Sequence, residues 1–250
     1  MTQEATQQRP DWGLASIRLS VFSAAGSTDA EAIFKDFFGI EPDSATIQKS
    51  AFLTELASTH EDVLYQVSVA GPKIDVKATA PVDASSTKPL PILEKGDSVR
   101  ALFQRKAFDL LARVSNVQRL AVGEHFLIPA SSRVAAYKIL ASFLPSIDAD
   151  AEKSSDFFYR INRAREIEIG GKKILINRLS QWGCLTFNVI VTSAEVSKTA
   201  NIGETVSLIT DVNSAPVVQI ASLLDTQQQS ELLTILFDFS REISEKGDVP

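Results

Sequence analysis

The segment VLYQVSVAGPKIDVKAT, residues 63–79, decides the predicted fold. Apolar and polar side chains alternate in both of its halves, which is the period of a β-strand with one buried face. The residues between the halves, Ala70-Gly71-Pro72-Lys73, are typical of a turn. The segment therefore predicts a β-hairpin, and neighbouring hairpins build an antiparallel sheet.

A second hairpin is predicted from FFYRINRAREIEIGGKKILINRL, residues 157–179. Gly170-Gly171 suits the positive φ angles of a two-residue hairpin turn. With that turn the numbers of paired residues sum to 341, so Arg163 lies opposite Arg178, Arg165 opposite Ile176 and Asn162 opposite Leu179. Two opposed arginines repel each other unless an anion or a carboxylate lies between them. A β-bulge would change this register.

Four amphipathic helices are predicted to accompany the strands. Thr28 with Glu31, and Thr226 with Gln229, have capping-box spacing at the starts of the first and last helices. Asp97 or Ser98 caps a second helix, and a third runs from Ser132 to the residues before Pro145. Further strands are predicted at 17–21, 46–53, 117–129 with an interruption near Gly123, 185–192 and 205–212. Because each helix has one apolar stripe, we expect an α+β fold in which helices back one side of a mainly antiparallel, curved sheet.

The order of the predicted elements suggests two similar halves. Residues 16–115 contain a strand, a helix, three strands and a helix, and residues 117–250 contain a strand, a helix, four strands and a helix. A coincidence of element order is the alternative, because the halves share no residue-level identity. We expect one continuous domain, with a flexible tail at 1–15 and a proline-rich loop at 81–96.

This element order resembles the saddle architecture of the TATA-box-binding-protein fold, in which two similar halves form one curved antiparallel sheet backed by helices. The resemblance is one of order, and no sequence motif of that family is matched. It implies a fold and carries over no DNA-contacting residue, since a fold does not imply a function.

Composition narrows the class of protein. The 250 residues are 44% hydrophobic and 22% charged, and the net charge of -6 excludes a wholly basic nucleic-acid coat. One cysteine and two histidines predict neither an internal disulfide nor a zinc site, so we expect no metal and no cofactor. No apolar stretch approaches the roughly 18 to 20 residues of a membrane span, and the start of the chain is too polar for a signal peptide. We therefore expect a cytoplasmic protein without a membrane partner.

The predicted hairpin at 157–180 is locally basic. The segment 157–192 has six basic and two acidic residues, a charge of +4 against -10 for the rest of the chain. One interpretation is a site for phosphate or nucleic acid, with arginines on phosphate oxygens and Phe158 or Tyr159 stacking on a base. The alternative is that the arginines pair with acids of the 148–156 loop or of the last helix, such as Glu231 and Glu242. The candidate binding residues are Arg160, Asn162, Arg163, Arg165, Lys172, Lys173, Asn177 and Arg178.

Catalytic motifs are missing from the sequence. It contains no G-x-S-x-G elbow, P-loop, G-x-G-x-x-G or H-E-x-x-H. His60 and His125 stand outside any motif, and Cys184 begins an apolar strand, as expected of a small buried side chain rather than a nucleophile. The leading hypothesis is a non-enzymatic binding module that recognises a protein partner through its sheet. The alternatives are nucleic-acid or nucleotide binding through the basic hairpin, and an enzyme with a scattered active site.

Overall fold

The computed structural model describes residues 11–24, 29–81, 90–192, 197–215 and 224–248, with side chains except at 187–192 and 197–202. The first half of this chain contains β1 (Gly13–Ser23), α1 (Ala30–Phe38), β2 (Ser44–Gln48), β3 (Leu53–His60), β4 (Val63–Ala70), β5 (Lys73–Thr79) and α2 (Gly96–Arg113). The second half contains β6 (Val117–Ala130), α3 (Arg133–Phe143), β7 (Phe158–Asn162), β8 (Arg165–Ile169), β9 (Lys172–Thr192), β10 (Ser197–Ser214) and α4 (Thr226–Lys246).

All ten strands belong to one open antiparallel sheet. Their order is β2-β3-β4-β5-β1-β6-β10-β9-β7, and β8 also pairs with β9. The first strands of the two halves, β1 and β6, pair with each other in the middle of the sheet. The predicted α+β class and antiparallel sheet are therefore confirmed, whereas the internal duplication and the saddle shape stay predictions from element order.

The helices cover one side of the sheet, which we call the helix side. Packing contacts join α1 to β3 and β4, α2 to β1, α3 to β10, and α4 to β10 and β6. A row of helix-side residues crosses the sheet in register, and all but the last are apolar: Leu56, Val67, Val76, Leu19, Val122, Val212 and Arg178. The other side of the sheet, which we call the polar face, carries the alternate residues of the same strands.

Several strand predictions differ from the structure. The interruption predicted near Gly123 is absent, because β6 pairs in one register with β10 through that residue. β3 was predicted only at its first residue. The predicted strand 46–53 is divided between β2, a short 3₁₀ turn at Lys49–Ala51 and the start of β3. The predicted strands 172–179 and 185–192 are one strand, β9, because β7 and β10 flank residues 181–183 on both sides and continue the pairing there. The predicted strand 157–169 is interrupted between β7 and β8.

The predicted cap of α2 at Asp97 or Ser98 is wrong, because the helix begins at Gly96 after Lys95 and has no side-chain cap. The predicted start of α3 is confirmed, since Ser132 accepts from the Ala135 N–H.

Both predicted capping boxes are displaced by one residue. Asp29 caps α1 by accepting from the N–H groups of Glu31 and Ala32, and the predicted cap Thr28 lies outside the described residues. Asp225 and Gln228 form the capping box of α4. The sequence offers this spacing at 225/228 and at 226/229, and the buried position of Gln229, whose side chain donates to the Leu224 carbonyl, selects the first.

The chain before residue 16 and the proline-rich segment are described in part. β1 begins at Gly13, inside the predicted tail, while residues 1–10 lie outside the described residues. In the segment 81–96, residues 82–89 are likewise outside them, and Leu93 donates its N–H to the Leu14 carbonyl. That contact holds the end of this segment against the start of β1.

Candidate binding surface

The predicted register of the basic hairpin is confirmed. Asn162 lies opposite Leu179 and Arg165 opposite Ile176, and the Arg163 N–H donates to the Arg178 carbonyl at 3.1 Å. The pairs in β7 and β8 keep the same sum on both sides of the interruption, so no bulge shifts the register. Arg163, Arg165 and Arg178 consequently face the helix side, while Arg160, Asn162 and Asn177 face the polar face.

Arg163 binds an acid that follows the last helix. Its Nε and Nη2 donate to the two carboxylate oxygens of Asp248, each at 2.9 Å, and the Tyr159 hydroxyl donates to the same carboxylate at 2.8 Å. The hydrogen bonds from Arg163 hold the pKa of Asp248 below its usual range, with a further contribution from Tyr159. Asp248 is therefore an ionised partner for Arg163 at neutral pH.

Arg178 occupies a core position and is only 1% exposed. Its Nη2 donates to Glu242 of α4 at 2.9 Å, and its guanidinium lies 4.9 Å from the centre of the Phe239 ring. Arg165 contacts the same carboxylate at 3.2 Å and the same ring at 5.1 Å. Burial raises the pKa of Glu242, but the Lys246 hydrogen bond and the two arginines lower it by more. The net shift of the pKa is therefore downward.

These contacts bear out the interpretation in which hairpin arginines pair with the last helix. Glu242, which the sequence reading named, serves Arg165 and Arg178, and Asp248 serves Arg163. The Glu242 and Asp248 carboxylates therefore supply the negative charge that two opposed arginines need to avoid repelling each other. Three of the six predicted basic residues, Arg163, Arg165 and Arg178, bind acids on the side of the sheet that the helices cover.

The polar face carries a continuous line of hydrogen-bonded side chains, which we call the amide track. Asn162 of β7 donates to Asn177 of β9 at 3.0 Å, and Asn177 donates to Asn213 of β10 at 3.1 Å. Asn213 donates to Asp211 at 2.8 Å, and the other oxygen of Asp211 lies 3.6 Å from the guanidinium of Arg18 in β1. The Arg178 N–H anchors the outer end by donating to Asn162.

Arg18 reaches Asp211 across the intervening strand β6, at Gly123. Arg18 pairs with Gly123 of β6, which pairs in turn with Asp211 of β10. A Cβ at Gly123 would lie 3.4 Å from Arg18 Nη2 and 3.5 Å from the Thr210 carbonyl oxygen.

Exposed apolar side chains flank the amide track. Phe158 is 64% exposed and pairs with Gly183, while Ile209 is 38% exposed and pairs with Gln181. Leu175 is 47% exposed and lies opposite Glu166. Of the other predicted site residues, Arg160 and Lys172 are exposed, and Lys173 forms an exposed ion pair with Glu166 at 2.7 Å. The structure therefore joins Asn162 and Asn177 in one track and separates Arg163, Arg165 and Arg178 from them.

A buried polar cluster at Glu124 was missed by the sequence reading. Glu124 of β6 contacts Arg100 of α2 through two carboxylate oxygens at 2.8 and 3.0 Å, and accepts from Ser240 of α4 at 2.5 Å. Burial raises the pKa of Glu124, and Arg100 opposes that shift. The signal was present, since Glu124 interrupts the apolar alternation Leu120, Val122, Phe126 and Ile128 on the buried face. Arg100 also lines a cleft of about 610 Å³ between α2 and α4.

The remaining titratable candidates fit structural roles. Burial lowers the pKa of His125, whose Nε2 lies 2.9 Å from the Ser207 hydroxyl. Burial and the neighbouring Glu204 raise the pKa of Cys184 to about 11, the opposite of what an activated nucleophile needs. Among residues with a described placement, no three metal-ligating side chains lie together. None of the helices in that part of the chain is long and apolar enough to cross a membrane.

Comparison with known proteins adds no relative. No protein-family model matches the chain, and no curated protein matches it at a significant level.

Proposed function

We propose that this protein is a non-enzymatic binding module that recognises another protein through its polar face, with the amide track at the centre of the contact. The observation that carries the proposal is the hydrogen-bonded line from Asn162 to Arg18, with exposed Phe158 and Ile209 on the same face of the sheet. Pre-ordered polar groups beside apolar side chains are the composition of a protein interface, because little side-chain entropy remains to be lost on binding.

Charge on the polar face favours a protein over a nucleic acid. Cations and acids alternate there, with Arg18 beside Asp211, Lys73 beside Asp75 at 2.6 Å, and Lys173 beside Glu166. A nucleic-acid surface has a surplus of cations that neutralise phosphates. Three arginines of the hairpin that could supply such a surplus bind Glu242 and Asp248 instead.

The experiment uses two substitutions at equally exposed apolar residues. Ile209→Glu places a charge on the polar face, and Phe108→Glu places one on α2, where the side chain is exposed to the same 38%. The tagged full chain is purified from its host, the partner in fixed stoichiometry is identified, and its affinity is measured with both purified proteins.

We expect Ile209→Glu to weaken binding at least about tenfold, as at a central interface residue, and Phe108→Glu to leave it unchanged. Asn177→Ala should also weaken binding, since it breaks the amide track between Asn162 and Asn213. Equal affinities for the two glutamate variants would contradict the proposal. A purified complex whose 260/280 nm absorbance ratio falls on nuclease treatment would replace it with the nucleic-acid alternative.

A further inference from the structure

One edge of the sheet lacks the features that keep strands from pairing with other chains. β2 is first in the strand order, and among the described strands only β3 pairs with it. All five of its residues, Ser44-Ala45-Thr46-Ile47-Gln48, are exposed, and none is charged or proline. Natural edge strands usually carry lysine, proline, inward charges or a bulge to prevent such pairing.

The opposite edge is protected in the usual way. β7 and β8 are separated by an interruption at residues 163 and 164, and they carry charged residues at Arg160, Arg165, Glu166 and Glu168. The contrast between the two edges shows that the absence of charge is particular to β2.

β2 also exposes apolar side chains on the helix side. Ala45 and Ile47 lie in register with Leu56 and Thr54 of β3, whose rows continue into the buried Val67 and Val69 of β4. Ile47 is nevertheless 67% exposed, and Phe52, just beyond the strand, is 81% exposed. Apolar side chains at a core-facing position without a covering helix are typical of an interface.

We propose that β2 pairs antiparallel with β2 of a second copy of this chain, which joins two sheets across a twofold axis at Thr46. In this register Ala45 lies opposite Ile47 of the second copy, and Ser44 lies opposite Gln48. Every uncharged residue of the strand is therefore paired with an uncharged residue of the other copy. Just outside the strand lie Asp43, whose carboxylate accepts from the Ser58 hydroxyl, and Lys49, which begins the 3₁₀ turn. The antiparallel arrangement brings the acidic end of each strand near the basic end of the other. A parallel arrangement would instead place Asp43 beside Asp43 and Lys49 beside Lys49, with like charges together.

The self-complementary sequence explains why the occupant is a second copy. A twofold interface requires that each patch be its own partner, and the stretch from Asp43 to Lys49 satisfies this in backbone direction, charge and apolar content. The contact is short, so the dimer is concentration-dependent. We expect sedimentation to give the monomer mass of 27.2 kDa at about 1 µM and to approach twice that mass at about 100 µM, as for small interfaces.

Two pairs of variants test the strand and its register. Thr46→Lys puts two like charges on the twofold axis and should abolish the dimer, whereas Leu175→Lys, at a half-exposed residue of β9, should leave it intact. In a Cys184→Ser background, Thr46→Cys should form a disulfide-linked dimer on mild oxidation, because the two copies of residue 46 lie directly opposite. Ile47→Cys is the control, since its two copies lie about 8 Å apart, too far for a disulfide.

Three results would overturn the proposal. The first is a mass of 27.2 kDa over the whole concentration range. The second is a dimer that persists in Thr46→Lys after circular dichroism has shown that this variant is folded. The third is cross-linking of Ile47→Cys as efficient as that of Thr46→Cys, which would exclude the register. Because β2 and the amide track lie on different parts of the sheet, Ile209→Glu should leave dimerisation unchanged, and failure of either proposal is distinguishable from failure of the other.

Discussion

Arg163 and Asp248, which lie 85 residues apart in the chain, are joined by two parallel hydrogen bonds of 2.9 Å. The Asp248 side chain is only 2% exposed. Its backbone N–H also donates to the Phe143 carbonyl at the end of α3, at 3.1 Å. Asp248, two residues beyond the end of α4, therefore ties the last helix both to the edge of the sheet and to α3.

Asp248→Asn should make stability less dependent on pH in the acid range. The pKa of Asp248 is below its ordinary 3.8 in the folded protein. Its contribution to the free energy of unfolding is therefore complete above pH 3.8 and is lost as the pH falls through the lowered pKa. We expect the variant to be less stable than the wild type at pH 7, and the difference to shrink below about pH 4. Urea unfolding at pH 7, 5 and 3.5 measures this, and a difference that stays constant would contradict it.

Arg100→Met should destabilise the protein strongly because it leaves the buried Glu124 without its cation. Breaking a buried ion pair by removing one partner costs about 3–5 kcal/mol. The double variant Arg100→Met/Glu124→Leu should recover most of that loss in denaturant unfolding. A double variant no more stable than the single one would show that Arg100 acts by packing alone.

The same single variant should depend on pH more strongly than the wild type, in which the pKa of Glu124 is already raised. Without Arg100, burial raises the pKa of Glu124 further above its ordinary 4.5. A carboxyl with a raised folded pKa loses stability as the pH rises above its unfolded value, so Arg100→Met should be more stable at pH 5 than at pH 8. If the free energy of unfolding of Arg100→Met is the same at both pH values, the Glu124 carboxyl is not buried as the structure shows.

Gly247→Ala should cost far more than Gly39→Ala, although both glycines end helices with positive φ angles, of 86° and 73°. A Cβ at Gly39 has nothing within 4 Å, so its cost is that of the left-handed backbone, about 1 kcal/mol. At Gly247 a Cβ would overlap the backbone carbonyl of Phe143, which brings the expected loss to about 2–5 kcal/mol. Thermal and urea unfolding of both variants measure the difference, and similar losses would show that α3 moves to make room.

Cys184 should react slowly with thiol reagents in the folded protein. A pKa of about 11 leaves about one thiolate in a thousand at pH 8, against about one in ten for an ordinary thiol of pKa 9.0. We expect maleimide labelling about 100-fold slower than in urea-unfolded protein, and Glu204→Gln to raise the rate, because Glu204 is one cause of the shift. Equal rates in the folded and unfolded protein would contradict the shift.

Strand prediction succeeded where one face of the strand is deeply buried. The alternation in β4 and β5 and the register at Gly170-Gly171 were read correctly, because period and turn chemistry are local properties. β3 was missed because Leu56 is its only buried apolar residue, and a strand near a sheet edge needs little alternation. β9 was divided because Gln181 and Gly183 resemble a turn, although Trp182 between them is fully buried against Phe143.

The candidate surface was predictable in part. The two-residue turn at Gly170-Gly171 placed Arg163 opposite Arg178 and Asn162 opposite Leu179, and Glu242 was named as a partner for the arginines. Which of the arginines would bind it, and that Asp248 would bind Arg163, depended on where α4 crosses the sheet. The amide track likewise needed β10 beside β9, a pairing that has no local signature.

Local pattern was enough to establish that this chain forms hairpins, amphipathic helices and a sheet with one polar face, because each of these follows from the spacing of apolar residues along a few turns or strands. The strand order, the charge partners of Arg163 and Arg178, the buried Glu124 and the unprotected edge at β2 were decided only by the tertiary structure. They arise where residues far apart in sequence meet, and there the cost of burying or exposing a group depends on its neighbours in space.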